Sequence, residues 1–538
     1  MKPIFSLLVF TTTIFATPAF SADFSVKYFR DTLKPYGTTP ASALASEVKI
    51  SGSRGEVLNF TLKVDGNGCA EPKLGELKLV DSKSKTKNSA IHLAARFYEI
   101  LPFVTTHRSY AGAPLGTHWD PVVQKSKICV SGGGWILGEV VLPSVGAAGK
   151  YEGEITLGDG VTIPLSLKLW NLDMPDEPTV ALYSELTTWF LLLGHYGKWN
   201  EGEEQLAQKY IRRMAEHRMV PIKHWLKVPN LQSGGLDLST VFFKNVVEPL
   251  PEWARISVPF EWPIKASPLT EKYFSEISKE LKQAKVRDRA FVYLWDEPRP
   301  EDSKDLLAAL RMVKRAAPEL KVLVTTTYKK ELEPYVDIFV PVMDQFDRKG
   351  FPPVEDYQRL KSKGKEFWLY NSCMSHGCGN DEDSGSPDWM IDRPGSHVRV
   401  LGWLAQHFGM RNLLYYSSDN GYQHFAAGRD PWKDLWDFTG NGDGTLFYPG
   451  RPGLQGMTDH QPVDSLRVKL WRQSSFDAEY VQWMKELAKA PAWWEPSLHD
   501  LVRGIRTWNK SESAYAELRE KIGDFLSAQS SSNPGALK

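Results

Sequence analysis

Residues 291–298 read Phe-Val-Tyr-Leu-Trp-Asp-Glu-Pro, an apolar and aromatic run that ends abruptly in two carboxylates. A short apolar run of this kind is typical of a buried strand, and Pro298 then ends it. In a barrel of alternating strands and helices, catalytic groups lie at the carboxyl ends of the strands. Asp296 and Glu297 are therefore predicted to lie at such a strand end.

The sequence around this stretch alternates apolar runs with helical patterns. Candidate strands are Val180–Glu185, Val220–Leu226, Ala254–Phe260, Ala290–Trp295, Lys321–Thr327, Ile338–Asp344, Glu366–Asn371 and Asn412–Ser418. Helices are predicted at 204–217, 270–285, 301–317 and 397–408. Eight strands over roughly 240 residues are typical of a (β/α)8 barrel of the TIM type. A doubly wound open sheet is the alternative, but no Gly-rich phosphate loop follows the first strand.

The flanking regions have a different pattern. Residues 22–175 alternate short apolar runs with turns, such as Gly-Asp-Gly at 158–160, and contain no strong long helix, which predicts a β-sandwich. The barrel is expected to extend over 176–463, including a long loop rich in Gly, Asp and Trp. Residues 464–538 are predicted to form helices at 464–490 and 511–527 and a flexible tail. The predicted fold class is multidomain, β plus α/β.

The composition argues against a nucleic-acid-binding function and is compatible with sugar binding. The chain has 538 residues, with 65 Lys and Arg against 65 Asp and Glu, so its net charge is zero. A nucleic-acid partner is not expected, because such proteins usually carry a basic excess. The 19 Trp, 20 Tyr and 25 Phe suit core packing and also suit stacking on the apolar faces of sugars.

The N-terminus has the features of a secretory signal peptide, predicted at residues 1–21. Lys2 supplies a positive charge, residues 4–16 are mostly apolar, and Ala19 and Ser21 supply small residues for cleavage. A membrane anchor is the alternative, but the apolar stretch is too short to span a bilayer comfortably. The mature protein is therefore expected to be secreted or periplasmic, with no membrane span.

Four cysteines in an exported chain permit disulfides. Of the three possible pairings, Cys69–Cys129 with Cys373–Cys378 is favoured. A metal site built from Cys373, His376 and Cys378 is the alternative, although no fourth ligand is evident. No other metal site and no cofactor are expected.

Adjacent carboxylates have a specific chemical consequence. Because Asp296 and Glu297 repel each other when ionised, one should hold its proton to higher pH, as a general acid requires. Neighbouring residues do not easily flank a sugar ring, as the two carboxyls of an ordinary retaining glycosidase must. One can instead protonate the leaving oxygen while the other orients a 2-acetamido group that attacks internally. A strand-end Asp that caps the helix beginning near Glu301 is the alternative.

Short motifs spread along the chain carry a family resemblance. They are His217-Arg, Asp296-Glu-Pro, Trp368-Leu-Tyr, the segment around Arg399 and Trp403, Asp443-Gly-Thr-Leu-Phe-Tyr-Pro-Gly, Ser465-Leu-Arg and Asp477-Ala-Glu-Tyr. With these motifs in this order, the chain resembles glycoside hydrolase family 123, the β-N-acetylgalactosaminidases, and the wider group sharing its catalytic domain. The resemblance extends from the N-terminal sandwich to about Trp483. His118-Trp-Asp-Pro departs from the family's Pro-Asp-Pro-Leu stretch, with His118-Trp119 replacing the proline.

The resemblance implies hydrolysis of a glycan containing β-linked N-acetylgalactosamine, with retention through an oxazoline. It implies that Asp296 positions the acetamido group and that Glu297 is the general acid/base. Strand-end positions predict further substrate-binding residues, for each of which a core or bracing role is the alternative: Tyr370, Asn371, Asp344, His224, Trp225 and Tyr416. Only one of Tyr415 and Tyr416 is expected to face the site. His217 is expected to brace a helix end, and Arg467 and Glu479 to form structural ion pairs.

Two other functions remain open. A barrel glycosidase can act on a different sugar with other carboxylates, such as Asp344 with Glu297. A non-catalytic glycan-binding surface protein can be built on an inactive barrel. The intact Asp296-Glu-Pro argues against the second, since a protein without catalysis need not keep a like-charge pair. The sequence leaves the oligomeric state open.

Overall fold

The computed structural model describes residues 23–30, 33–37, 41–80, 90–158, 160–200, 203–222, 243–260, 264–373 and 383–532. A β-rich N-terminal part precedes a series of parallel strands and helices, and helices end the described chain. The predicted signal peptide, residues 1–21, lies outside the described residues. No helix in the described ranges is long and apolar enough to cross a bilayer.

The N-terminal part is made of strands in two sheets. They are β1 (Asp23–Phe29), β2 (Leu44–Ala45), β3 (Val48–Arg54), β4 (Val57–Ala70), β5 (Lys73–Leu74), β6 (Leu77–Leu79), β7 (Ala90–Ile91), β8 (Ala94–Thr105), β9 (Gly116–Gln124), β10 (Ile128–Val130), β11 (Gly134–Val141), β12 (Gly149–Thr156) and β13 (Thr162–Asp173). One sheet has the order β2-β1-β4-β11-β8-β9, with β10 paired to β4. The other has the order β3-β13-β12-β6-β7, with β5 paired to β12.

The two sheets enclose a common hydrophobic core. Phe60 and Leu62 of β4 and Leu165 and Leu167 of β13 all belong to it. Successive side chains of a strand point to opposite faces. The first sheet can therefore contact a second core with its other face. Trp135 of β11 belongs to this second, larger core, which also includes the parallel strands. The prediction of a β-rich N-terminal part is confirmed, and its first sheet is covered on both faces.

Parallel strands occur at all the predicted positions. They are β14 (Ala181–Glu185), β15 (Met219–Ile222), β16 (Ile256–Ser257), β17 (Ala290–Asp296), β18 (Lys321–Thr325), β19 (Ile338–Phe339), β20 (Glu366–Phe367), β21 (Leu369–Asn371) and β22 (Asn412–Tyr415). They pair in the orders β15-β14-β22-β21 and β16-β17-β18-β19-β20. Since β20 and β21 are separated only by Trp368, the two sheets follow one another in barrel order. The described residues show no pairing between β15 and β16, so closure of the barrel stays a prediction.

The helices are α1 (Thr188–Tyr196), α2 (Glu203–Glu216), α3 (Pro268–Gln283), α4 (Ser303–Ala316), α5 (Val354–Ser362), α6 (Ser396–Phe408), α7 (Leu466–Glu486), α8 (Trp494–Leu501) and α9 (Glu512–Ser532). Helix α3 begins in the manner expected from its sequence, because the Ser267 side chain accepts a hydrogen bond from the Thr270 N–H and Pro268 occupies the first turn. The six predicted helices are present within a few residues of their expected ends. Helices α1, α5 and α8 were not predicted.

The chain after the parallel strands returns to the N-terminal sheet. It forms β23 (Trp436–Asp437), β24 (Gly440–Asn441), β25 (Phe447–Gly450) and β26 (Gln461–Ser465). Strand β26 pairs antiparallel with β9, with Asp464 opposite Val122, and β25 pairs with β26. The first sheet therefore contains strands from both ends of the chain.

Disulfides agree with the favoured pairing where the structure describes it. Cys69 of β4 lies directly opposite Cys129 of β10, and the two are bonded. Cys373 is also disulfide-bonded. Its predicted partner, Cys378, and His376 lie outside the described residues.

Buried ion pairs connect the N-terminal sheet to the C-terminal helices. The Arg467 guanidinium of α7 donates from Nη2 to Asp120 Oδ2 of β9 over 2.9 Å, and both side chains are buried. Tyr448 also donates to Asp120. A further buried pair joins α7 to the parallel-strand region instead: Glu479 accepts a hydrogen bond from Arg218 Nη1, between α2 and β15, over 2.8 Å. The expected structural roles of Arg467 and Glu479 are confirmed.

Asp120→Asn is expected to lower the free energy of unfolding by about 3–5 kcal/mol, because the buried Arg467 charge would lose its partner. Urea denaturation followed by tryptophan fluorescence measures the change. The control is Glu177→Gln, which removes an exposed ion pair with Arg411 and should cost less than about 1 kcal/mol. Equal losses in the two variants would contradict the structural role of the Asp120–Arg467 pair.

Candidate active site

The two predicted catalytic carboxylates lie at the carboxyl end of β17. The strand is buried from Ala290 to Trp295 and becomes exposed at Asp296 and Glu297. In the parallel ladder, Asp296 lies opposite Thr325, the last residue of β18. The structure therefore places the Asp296-Glu297 pair at the edge where the parallel strands end.

Asp296 is held by two hydroxyl groups. Its Oδ1 accepts hydrogen bonds from the Tyr293 hydroxyl and from Thr325 Oγ1, each over 2.7 Å. The same Thr325 oxygen accepts the main-chain N–H of Glu297 over 2.8 Å. One threonine hydroxyl thus sets the position of Asp296 relative to Glu297.

Asp296 does not cap the following helix, so the alternative interpretation from the sequence is wrong. The single turn before α4 is closed by Asp302, whose Oδ2 accepts the Arg299 N–H over 2.8 Å. The hydrogen bonds of the Asp296 carboxylate point back into the strands, to Tyr293 and Thr325.

Glu297 has an unusual backbone conformation. Its φ is 44°, in the left-handed region that side chains other than glycine rarely adopt. Such conformations cost of order 1–3 kcal/mol and cluster at functional sites, where surrounding contacts hold them. The contact here is the hydrogen bond from the Glu297 N–H to Thr325.

The electrostatic surroundings favour a protonated Glu297. Desolvation, followed by the negative charges of Asp296 and then Asp344, raises the pKa of the Glu297 carboxyl above its usual value. A carboxyl with a raised pKa keeps its proton to higher pH, which is the direction of shift that a general acid needs.

Asp344 is brought to the same site from the segment after β19. It is buried, and its Oδ2 lies 3.5 Å from Arg348 Nη1. Arg506 donates a hydrogen bond to its main-chain carbonyl. Burial raises the pKa of the Asp344 carboxyl, and the charges of Arg506 and Arg348 oppose this shift. Among the described residues, Asp344 Oδ1 has no hydrogen-bond partner although it is buried.

Tyr370 and Asn371 end β21 but have different surroundings. Burial, followed by the charges of Asp296 and Glu297, raises the pKa of Tyr370 well above its usual value. The Asn371 Nδ2 donates to the Pro387 carbonyl over 3.0 Å. Substrate binding by Tyr370 and Asn371 stays a prediction, and Asn371 holds the neighbouring segment in place through this hydrogen bond.

The two adjacent tyrosines at the end of β22, Tyr415 and Tyr416, have different hydroxyl contacts. The Tyr415 hydroxyl donates to Asp443 Oδ1 over 2.9 Å and accepts the Gly444 N–H over 2.7 Å. The buried Tyr416 hydroxyl has no partner among the described residues. Of the two, only Tyr416 has a hydroxyl without a partner in the described part of the chain, and its role in substrate binding stays a prediction.

Other motif residues are structural. The ring of His217 lies with Nδ1 2.8 Å from the Arg213 carbonyl and braces the end of α2. Arg399 and Trp403 of α6 both donate to Asp477 Oδ2 over 3.0 Å. The predicted substrate-binding residues His224 and Trp225 lie outside the described residues.

Tyr293 and Thr325, which bind Asp296, were not predicted as site residues. A signal for Thr325 was present, because it is a hydroxyl residue near the carboxyl end of the predicted strand Lys321–Thr327, the next strand in the chain after that of Asp296. Tyr293 lies three residues before Asp296 in the quoted apolar run and was interpreted only as part of that run.

Comparisons with known proteins find similarity over the part of the chain that contains these residues. Residues 265–484, which include Asp296 and Glu297, match the family model described as Glycoside hydrolase 123, catalytic domain. A family 123 glycoside hydrolase from Clostridium perfringens, studied for glycolipid glycan hydrolysis, superimposes with a TM-score of 0.69 at 12% identity, over 95% of this chain and 99% of that chain. This likeness shows the fold.

A Bacteroides ovatus GH5 xyloglucanase aligns over 79% of this chain and 98% of its own at 8% identity, with a TM-score of 0.28 that is too low to carry an argument. No curated protein matches the chain. The match covers the site described above: residues 265–484 are similar to the catalytic domain of glycoside hydrolase family 123, and the protein is a glycoside hydrolase.

Proposed function

We propose that this glycoside hydrolase cleaves β-linked N-acetylgalactosaminides with retention, through an oxazoline formed by the substrate itself. The observation that carries the proposal is the adjacent pair at the end of β17. Asp296 is fixed by two hydroxyl donors, and desolvation and neighbouring charges raise the pKa of Glu297. Adjacent carboxylates suit a substrate-assisted reaction, in which the enzyme supplies no nucleophile of its own.

In the first step, Glu297 donates its proton to the glycosidic oxygen. The carbonyl oxygen of the 2-acetamido group attacks the anomeric carbon as the bond to the leaving group breaks. The acetamido nitrogen gains positive charge, and the Asp296 carboxylate accepts its N–H and stabilises that charge. Because Asp296 Oδ1 already accepts from Tyr293 and Thr325, we assign this contact to Oδ2.

In the second step, the Glu297 carboxylate takes a proton from water. The water oxygen attacks the anomeric carbon, the oxazoline ring opens, and the acetamido group is restored. Two inversions at the same carbon give net retention. Glu297 thereby returns to its protonated form, and Asp296 ends the cycle as it began.

The sugar and the location of the protein belong to the same proposal. The choice of N-acetylgalactosamine rests on the family resemblance, and the Clostridium perfringens enzyme makes a glycolipid glycan a candidate source of it. Export is supported by the leader-like N-terminal sequence and by the disulfide-bonded Cys69, Cys129 and Cys373.

The test is a panel of chromogenic β-GalNAc, β-GlcNAc, β-Gal and β-Glc substrates offered to the purified protein. Cleavage of the β-GalNAc substrate is expected, with the β-anomer as the first product detected by NMR. Efficient cleavage of β-Gal, which has no acetamido group, would contradict substrate assistance. An α-anomer as the first product would contradict retention.

A second candidate function uses Asp344 together with Glu297 on another sugar. It is favoured by the buried Asp344 Oδ1, which has no partner among the described residues, and by the effect of the Asp344 charge on Glu297. In this second function, Asp344 acts directly on the substrate. In the proposed substrate-assisted function, Asp344 acts only by raising the pKa of Glu297.

Asp344→Asn separates the two functions through the pH dependence of kcat/KM. Removing this negative charge should lower the pKa of Glu297, because the Asp344 charge raises it. Glu297 would then lose its proton at lower pH, so the alkaline limb of the profile should move to lower pH while activity on its acid side is kept. A loss of about 10³-fold or more at every pH would instead indicate direct catalysis by Asp344. Glu301→Gln, at an exposed carboxylate, is the control and should leave the profile unchanged.

A further inference from the structure

A strained hairpin tip carries an exposed phenylalanine. Strands β23 and β24 pair with Asp437 opposite Gly440, which leaves Phe438 and Thr439 as the two turn residues. Their φ angles are 45° and 62°, both in the left-handed region. The Phe438 side chain is 57% exposed.

This turn has the wrong residues for its geometry. A two-residue hairpin turn with positive φ at both positions favours Asn-Gly or Asp-Gly, and an aromatic or β-branched residue is strained there. An exposed aromatic ring also gains nothing from core packing. Local stability therefore does not account for Phe438, and strain of this kind points to a role at a ligand.

The hairpin is held firmly below its tip. His424 Nε2 lies 2.9 Å from Asp437 Oδ1. The ring of Trp436 stacks on His107, with centroids 4.8 Å apart and planes inclined by 26°. The Asn441 N–H donates to Ser109 Oγ over 2.8 Å. His107 and Ser109 follow β8, so the N-terminal part helps to position the Phe438 ring.

The ring of Phe438 contacts Tyr416, one of the predicted substrate-binding residues. Their ring centroids are 5.6 Å apart, with the planes perpendicular at 90°. Tyr370 lies opposite Leu414 in the parallel ladder, and Tyr416 follows Leu414 by two residues. Since residues two apart along an extended chain share a face, Tyr416 and Tyr370 lie on the same side. Both lie where their strands end, at the same edge of the parallel strands as the end of β17 with Asp296 and Glu297.

We propose that Phe438 is a substrate-binding residue whose ring packs against the apolar C–H face of a pyranose bound at Asp296 and Glu297. The inference rests on the proposed function for its site, but it requires only a pyranose and not a particular sugar. Flat aromatic side chains supply large, rigid apolar contact at little cost in conformational entropy. The strained turn thus presents a sugar-stacking surface at the edge of the site.

Phe438→Asn tests the inference without damaging the turn, because asparagine favours positive φ. We expect kcat/KM for the β-GalNAc aryl glycoside to fall about tenfold, the effect of losing one buried aromatic contact. The thermal midpoint should not fall. Phe438→Trp, which keeps a flat ring, should retain most of the activity.

Thr439→Asn is the matched control, because it makes the same change at the neighbouring turn position without removing the ring. Equal losses in the two Asn variants would overturn the inference and assign the effect to the turn. Unchanged kcat/KM in Phe438→Asn would overturn it while the proposed function stands. If the wild-type protein cleaves a different glycoside of the panel, the comparison is made on that one. If it cleaves none, the proposed function fails and this inference fails with it.

Discussion

Glu297→Gln is expected to lower kcat about 10² to 10⁴-fold on a substrate with a poor leaving group. The amide cannot donate the proton that the glycosidic oxygen needs, while its size and its main-chain hydrogen bond to Thr325 are kept. Steady-state kinetics on a β-GalNAc disaccharide measures the loss, and the thermal midpoint checks that the fold is intact.

The leaving group provides the internal control for this variant. An activated phenol departs without protonation, so a nitrophenyl substrate should recover much of the first chemical step in Glu297→Gln. Near wild-type activity on the disaccharide would show that Glu297 is not the acid. The same result would move the search for the acid to Asp344, the other carboxyl whose pKa is raised at this site.

Asp296→Asn is expected to lose about 10² to 10³-fold in kcat, the usual cost of removing a group that stabilises developing charge. The neutral side chain keeps the size of the carboxylate but cannot balance the positive charge that develops on the acetamido nitrogen. The loss should therefore persist with a nitrophenyl leaving group. A plot of rate against the pKa of the leaving group, made for both variants, distinguishes the two roles.

Two ligands complete the comparison. A thiazoline analogue of the oxazoline should inhibit the wild-type protein, because it resembles an intermediate held more tightly than the substrate. Asp296→Asn should bind it less well, and Glu297→Gln should be affected less. A 2-hydroxy sugar should be nearly inert, since it lacks the internal nucleophile. Rescue of Asp296→Asn by an activated phenol would contradict its assigned role.

The parallel strands could be predicted because each is a short apolar run that is followed by turn-forming residues. Periodicity in the sequence also identified helices such as α6 and α7, although the ends differ by a few residues. Helix α1 was missed for a physical reason. Its sequence from Thr188 to Tyr196 is almost wholly apolar, so it lacks the polar face from which a helix is recognised.

The site was predictable only in part. Asp296 and Glu297 could be located because a carboxylate pair directly ended an apolar strand. The roles of Thr325 and Tyr293 depend on strand register and side-chain direction, which the sequence does not state. The effect of Asp344 on Glu297 likewise depends on two strand ends that lie far apart in the chain but close together in the fold.

Residues of several family motifs form hydrogen bonds between distant parts of the chain. Asp477 accepts hydrogen bonds from Arg399 and Trp403, and Arg467 binds Asp120. In the sequence these residues form separate short motifs. Only the structure shows that their side chains bind one another. Their role is to hold the layers together around the carboxylates.

The pairing of β26 with β9 has a consequence for biogenesis. During synthesis, the edge of β9 that β26 covers stays open until residues 461–465 have emerged from the ribosome. An open strand edge is a template for aggregation. We therefore expect the N-terminal part to need chaperone protection, or translocation before folding, until more than 300 further residues have followed β9. A fragment cut at the ends of the family match, residues 265–484, would lack β9 and leave β26 without this partner, so the catalytic domain should be expressed together with its N-terminal neighbour.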